Sequence, residues 1–238
     1  MAQTRPIKGD IAANIDSHCG IIDMAVAAGA QVIVFPELSL TGYEPALAEA
    51  LAVNPDDRRL DVFQQLADRE KVVICVGAPT RADAGVCIGL LVFQPESDRR
   101  VYSKQILHPD ETPFFVSGES SIRALGAGPV AALAICYEIS VPEHAQRAEA
   151  AGADIYIASV AKFVGGIGRA EARLAVIAGD YGMPVLMANA VGEADGNTCA
   201  GQSAVWNRQG QLIGQLDGVS EGILIFDTES QEIFQAVI

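Results

Sequence analysis

At 238 residues, with half of them apolar and only 19% charged, the chain has ample material for a large buried core, as one large domain or two small ones. Its formal net charge of −14 argues against a nucleic-acid partner, because phosphate binding needs a basic surface, and against adhesion to anionic membrane. No apolar run reaches ~18 residues, so no transmembrane helix is expected, and the opening Met1-Ala-Gln-Thr-Arg-Pro6 has no apolar signal core.

In chain order, Gly9-Asp10 leads into an amphipathic helix over roughly Ile11 to Ala28, with Gly29 as its C-terminal cap. Gln31 to Phe35 reads as a buried strand ended by Pro36-Glu37, and Ser39 to Pro45 as turn-rich loop. A polar-faced helix is predicted from about Asp57 to Arg69, then a strand from Val72 to Val76. Val86 to Gln94 and Arg100 to Lys104 form a hairpin around Pro95-Glu-Ser-Asp98. Residues 105–121 hold Pro109, Pro113 and Gly118 and are expected to be irregular loop. Val130 to Ile135 is long enough for one buried strand, ended by Cys136-Tyr-Glu138, and Pro142 opens a helix over 142–151.

The same order then recurs. Ala151-Gly-Ala-Asp154 before the strand Ile155 to Val160 matches Ala28-Gly-Ala-Gln31 before its own strand. A helix near 169–181 leads to the strand Val185 to Asn189, and Gln202 to Leu216 closes as a second hairpin around Asn207-Arg-Gln-Gly210. Two halves of this kind predict two sheets packed face to face with helices outside. With no Pro-, Gly- or Ser-rich linker between them, one domain over 1–238 is expected.

The five cysteines are odd in number, scattered, and form no Cys-x-x-Cys pair. They make neither a disulfide framework nor a zinc site and point to a reducing cytoplasm. The chemistry concentrates instead at strand ends. Glu37, Lys104 and Cys136 each close a predicted strand, where α/β folds gather reactive groups in one crevice. Taken singly, Cys136 is more often a small core hydrophobe and Lys104 a surface residue. As a set they make chemical sense. A cysteine attacks a carbonyl or nitrile carbon only as thiolate. Glu37 can take its proton, and Lys104 can stabilise thiolate and oxyanion.

Other schemes fit less well. Gly-x-Ser-x-Gly is absent, which removes a serine hydrolase elbow. A Cys–His dyad has only His18, His108 and His144 to draw on, and His144 lies on the next helix. Three scattered histidines supply no metal site. Gly165-Gly-Ile-Gly168 lacks both phosphate-loop signatures and is expected to line the crevice as a loop.

Three segments resemble the nitrilase superfamily, the carbon–nitrogen hydrolases, and in that family's order: Val34 to Tyr43 (VFPELSLTGY), Tyr102 to Glu111 (YSKQILHPDE) and Ala134 to Glu143 (AICYEISVPE). Gly152 to Ile155, Pro184 to Gly192 and Gly201 to Ala204 support the match across nearly the whole chain. The resemblance implies a four-layer αββα sandwich of two mixed sheets with an internal pseudo-two-fold repeat. It implies Glu37 as general base, Lys104 as the cation at the oxyanion, Cys136 as nucleophile and Glu111 as a second, positioning glutamate. The backbone N–H of Tyr137 would complete the oxyanion hole, and Tyr43, Glu138 and Lys162 are expected to contact substrate. Lys162 and Arg169, flanking the glycine loop, are candidates to pair with a substrate carboxylate. No metal or cofactor is implied; the expected partner is a small amide-type molecule, and the expected assembly a homodimer or higher homo-oligomer.

Two departures qualify the likeness. Relatives usually begin with an apolar strand before the residue matching Gln3, whereas only Met1-Ala2 precede it here, so that strand is expected to be missing or the start truncated. Many relatives also carry Asp–Arg where this chain has Glu138-Ile-Ser140, which loosens transfer of substrate identity. The reading is therefore an amidase-like hydrolase acting through a Cys thioester. Nitrile hydrolysis, acyl transfer by the same triad, or a non-catalytic binding protein of this fold are the alternatives.

Overall fold

The structure, a computed structural model, describes residues 1–119, 125 and 128–238. The last two positions of the predicted 105–121 loop lie outside the described residues. Strand β1 (Ala2–Gln3) precedes helix α1 (Ile11–Ala27) and β2 (Val32–Val34). Helices α2 (Ala48–Leu51) and α3 (Asp61–Glu70) lead to β3 (Val73–Ala82), β4 (Gly85–Phe93) and β5 (Arg100–Ser103). The second half runs β6 (Ala131–Ile135), α4 (Pro142–Ala150), β7 (Ile155–Ser159), α5 (Ile167–Tyr181) and β8 (Val185–Ala188). It closes with β9 (Val191–Ala194), β10 (Asn197–Ala200), β11 (Ala204–Trp206), β12 (Leu212–Gln215), β13 (Gly222–Phe226) and β14 (Ile233–Val237).

Two mixed sheets carry the architecture. One is ordered β2-β3-β4-β5 and the other β12-β11-β8-β7-β6. The repeat appears in the pairings: β2–β3 parallel then β3–β4 and β4–β5 antiparallel, answered by β7–β8 parallel then β8–β11 and β11–β12 antiparallel. Strand β6, parallel to β7, is added at the edge.

The period-two alternation of strands explains the layering. In β3, Val73 and Cys75 join the core shared with the other sheet, including Leu133 and Ile157; Ile74 and Val76 point the opposite way, onto Ile22 of α1 and Phe63 of α3. Leu174 and Ile177 of α5 close the far side. The order is helices, sheet, sheet, helices.

Helix α1 starts and stops where its sequence says it should. Asp10 Oδ1 accepts from the Ala13 N–H at 3.0 Å, and Gly29, at φ +85°, takes the left-handed turn after the last residues. The structure departs from expectation in three places. The helix expected from Asp57 begins as a single 3-10 turn over Arg58–Leu60. The strand expected to end at Val76 continues to Ala82, because its partner β4 pairs with it in antiparallel register along its length. Where the strand before Gln3 was expected to be missing or the start truncated, Ala2 and Gln3 themselves form the two-residue β1, paired to β13. All five cysteines are unpaired thiols, and among the described residues no helix is long and apolar enough to cross a membrane.

Candidate active site

Glu37 follows β2 in a turn that three separate contacts hold in place. Ser159 Oγ, at the end of β7, donates to the Phe35 carbonyl at 2.8 Å and so joins the two sheets one step before the site. From α1, Asn14 Nδ2 donates to the Leu40 carbonyl at 2.9 Å, and His18 Nε2 lies 2.9 Å from Ser39 Oγ. His18 also stacks on Phe35, ring centroids 4.0 Å apart, and its burial lowers its pKa to about 3, so it is a neutral core group. The third hold is Gly77 in β3. A Cβ there would sit 2.3 Å from the Pro36 carbonyl oxygen and 2.6 Å from the Leu38 nitrogen. Gly77→Ala is therefore expected to cost about 1–3 kcal/mol by overpacking against backbone that cannot retreat. Urea unfolding measures this directly; an unchanged midpoint would show the turn to be looser than its contacts imply.

Lys104 lies one residue past β5, its N–H donating to the Ile88 carbonyl at 2.9 Å. Its ammonium is fully buried and bridges two carboxylates: Glu37 Oε1 at 2.8 Å and Glu111 Oε1 at 2.7 Å. Glu111 in turn accepts from Tyr43 Oη at 3.1 Å and, through Oε2, from the His108 N–H at 2.7 Å. One carboxylate oxygen is left over. Glu37 Oε2 is buried and has no hydrogen-bond partner among the described residues.

Burial would push the Lys104 ammonium toward its neutral form, but the charges of Glu37, Cys136 and Glu111 prevail and raise its pKa. Glu37 goes the other way from an ordinary surface carboxylate. Burial raises its pKa, with Glu111 adding to the rise, and Lys104 only partly offsets it. A carboxylate so placed is a better base than one in water.

Cys136 closes β6 at φ +42°, a left-handed conformation that a non-glycine residue holds at a cost of about 1–3 kcal/mol. The chain then turns into a 3-10 helix over Cys136–Ser140. Burial, and then the Glu37 charge, raise the thiol's pKa; Lys162, Lys104 and the Ala161 N–H act to lower it. Tyr137 stands on the first turn of that helix, where backbone N–H groups lack intrahelical acceptors.

Of the residues expected to touch substrate, Tyr43 is on the wall of the cleft, which has a volume of about 10 Å³ and is also lined by Glu37, Ala161, Val191, Glu193 and Cys199. Lys162 is half-buried and Arg169 exposed. The Lys162 backbone is clamped at both ends: its N–H donates to Asn189 Oδ1 at 2.8 Å, and its carbonyl accepts from Asn189 Nδ2 at 3.1 Å. Glu138 is not on the wall of that cleft. It is wholly buried, with Oε1 accepting from the Gln105 and Ile106 N–H groups and Oε2 from the Ile135 N–H and Tyr102 Oη. It ties the segment after Lys104 to the turn at Cys136, and a carboxylate with both oxygens spent on the protein has none left for a ligand. The glycine run 165–168 is a second correction: it forms the turn into α5 and none of it lines the cleft.

His144 is bound to Tyr156 Oη and Tyr102 Oη at 2.8 and 3.1 Å, so its ring is committed to a tyrosine–Glu138 network. A larger hollow of about 490 Å³ lies along β6 and α4, and none of Glu37, Lys104, Glu111 or Cys136 lines it. Two elements of the cleft escaped the sequence reading. The β9–β10 hairpin supplies Val191, Glu193 and Cys199, and its small cluster of Ala190, Ala194 and Cys199 packs on Tyr43 and Phe163. The turn signal Asp195-Gly196 was the cue for it.

Comparison with known proteins gives a consistent picture. The carbon–nitrogen hydrolase family pattern matches residues 1–236. A glutamine-dependent NAD(+) synthetase of Rhodobacter capsulatus is 28% identical over 244 residues, covering 96% of this chain and 43% of its own length. An (R)-stereoselective amidase of a Pseudomonas species is 27% identical over 151 residues, covering 63% of this chain and 54% of its own. The chain thus spans about half of these two relatives or less. The solved structure of an amidase from Nesterenkonia sp. AN1 superposes with a TM-score of 0.82 at 24% identity, over 92% of this chain and 88% of that one, which establishes a shared fold.

Proposed function

Since the chain belongs to the carbon–nitrogen hydrolase family, we propose that it cleaves the C–N bond of a small amide through a thioester on Cys136. The observation that carries this reading is the buried chain Glu37–Lys104–Glu111 beside a thiol at a strand end, with Glu37 Oε2 free to accept a proton.

In this reading Glu37 takes the thiol proton and Cys136 Sγ attacks the carbonyl carbon. The oxyanion is met by the Lys104 ammonium and the Tyr137 N–H. Glu37 returns the proton to the departing nitrogen, ammonia or an amine leaves, and the thioester remains. Water, deprotonated by Glu37, then releases the carboxylic acid and restores the thiol. Glu111 fixes Lys104, and Tyr43 fixes Glu111. None of these steps calls on a metal or cofactor.

A variant of the Nesterenkonia amidase carries acrylamide joined by Michael addition to its active-site cysteine, which supports a nucleophilic thiol in this fold. A homodimer packing helices near the nucleophile, and a single domain over 1–238, belong to the same proposal. Sedimentation velocity checks the first, a monomer contradicting it. One cooperative unfolding transition is expected for the second.

The test is ammonia release from a panel of short aliphatic amides, ω-amido acids, carbamoyl amines and nitriles by the wild type and by Cys136→Ala. Release that requires Cys136 supports the reading; release equal in the variant removes it. The pH profile adds a second check. Glu37 must be ionised to act as base, and burial holds its pKa above the ordinary glutamate value of 4.5. The acidic limb of kcat/KM is therefore expected to fall at a pH above 4.5. A limb at or below that value would mean another group is the base.

A further inference from the structure

Cys136 sits at φ +42°, a conformation that persists only where the surroundings fix the chain on both sides of it. One side chain does much of that fixing. Glu138 follows Cys136 by two residues, and its Oε2 reaches back to accept from the Ile135 N–H at 2.7 Å, closing a loop of chain over the cysteine. The same oxygen accepts from Tyr102 Oη at 2.8 Å, and Tyr102 stands in β5 two residues before Lys104. The other oxygen, Oε1, accepts from the Gln105 N–H at 2.7 Å and the Ile106 N–H at 3.3 Å, just past Lys104. The chain is thus held on both sides of Lys104 and on both sides of Cys136 by a single carboxylate.

That carboxylate is fully buried, and among the described residues no lysine or arginine pairs with it. His144 Nε2 lies 3.7 Å away, but burial lowers the pKa of that imidazole and favours its neutral form. A carboxylate in such a place carries a desolvation cost that an apolar side chain would avoid. Its contribution is the set of bonds it makes. We propose that Glu138 is a positioning residue for C–N cleavage: it sets where the Lys104 ammonium stands relative to the Cys136 sulfur by tying both backbone segments to one rigid group.

The inference rests on the proposed roles of Lys104 and Cys136. It differs from a packing role in what it makes the folded enzyme do. Loss of a packing group lowers stability and leaves the rate of each folded molecule alone. Loss of a positioning group slows the folded enzyme, since a shift of about 1 Å between reacting groups costs about 10²-fold. Glu138 is not on the cleft wall, so binding of the ground-state amide should be spared and the loss should fall on kcat.

Gln is the informative replacement. It has the size of Glu but one acceptor oxygen, so its amide nitrogen must face donors on the Lys104 side or on the Cys136 side. Asp keeps both acceptors on a stem one methylene shorter. Both variants are assayed for ammonia release from the amide that the wild type hydrolyses fastest, at a temperature where circular dichroism shows them folded, with urea midpoints measured alongside. In Glu138→Gln kcat is expected to fall about 10²-fold, and in Glu138→Asp by a smaller factor, with KM within about twofold of wild type in both. If Gln fails to fold, the fall in kcat of the Asp variant at unchanged KM carries the test. A kcat within about twofold of wild type in a folded variant, whatever its urea midpoint, overturns the inference and leaves Glu138 a structural group. A raised KM with kcat kept overturns it as well, and makes Glu138 a substrate contact. So does unfolding of both variants, which would make it a packing element first. Failure of the underlying reading is separate: Cys136→Ala would then release ammonia as the wild type does.

Discussion

Lys104→Met is expected to abolish measurable turnover and to lower stability by about 3–5 kcal/mol, the cost of removing one partner from a buried ion pair. The reason is geometric. One ammonium, with no solvent exposure, holds Glu37 at 2.8 Å and Glu111 at 2.7 Å. Without it two carboxylates face one another in the protein interior. The sign of the pH dependence follows. Burial already raises the Glu37 pKa against the pull of Lys104, and losing that pull raises it further. A raised folded-state carboxylate pKa contributes stability below the ordinary value of 4.5, and that contribution is lost as pH climbs through the raised one. The deficit of the variant relative to wild type should therefore be smaller at pH 4 than at pH 8. Urea unfolding at the two pH values reads both quantities. A deficit that is the same or larger at pH 4 would show that Glu37 and Glu111 are not the groups in distress.

Cys136→Ala is expected to remove at least about 10⁴-fold of kcat/KM while leaving the fold intact, because it deletes the attacking atom and little else. Cys136 as a residue is 8% exposed, and replacing it by alanine removes a single sulfur atom. The stability change should stay near ~1 kcal/mol, since alanine inherits the same φ of +42° and the strain that goes with it. The contrast between the two variants is informative. Lys104→Met should lose both activity and stability, Cys136→Ala activity alone. If Cys136→Ala unfolded, the residue would be a packing element first and the case for its chemistry would weaken.

Much of the core was legible because strand and hairpin periodicities act locally. Val86 to Gln94 against Arg100 to Lys104, and Gln202 to Trp206 against Gln211 to Leu216, differ from the strands that formed by a few terminal residues. Glu37, Lys104 and Cys136 stood out as polar residues closing apolar runs, and the fold brings the ends of β2, β5 and β6 together. Partnership across the chain was beyond reach of the sequence. Whether Val73–Ala82 ends early or runs on depends on β4 lying beside it. Glu138, beside Cys136, was expected to contact substrate, and only the folded chain shows four donors converging on it. The strands β13 and β14 and the β9–β10 flank of the cleft are short elements whose stability comes from what they pack against.

The proposed reaction requires Cys136 to become an acyl thioester. Its most direct test is the mass of the protein quenched in acid during turnover of a short amide, with the adduct located by peptide mapping. An increment equal to the acyl group is expected on the Cys136 peptide, absent from Cys136→Ala and removed by hydroxylamine. Turnover without any adduct on that peptide, or an adduct on another of the five cysteines, would contradict it.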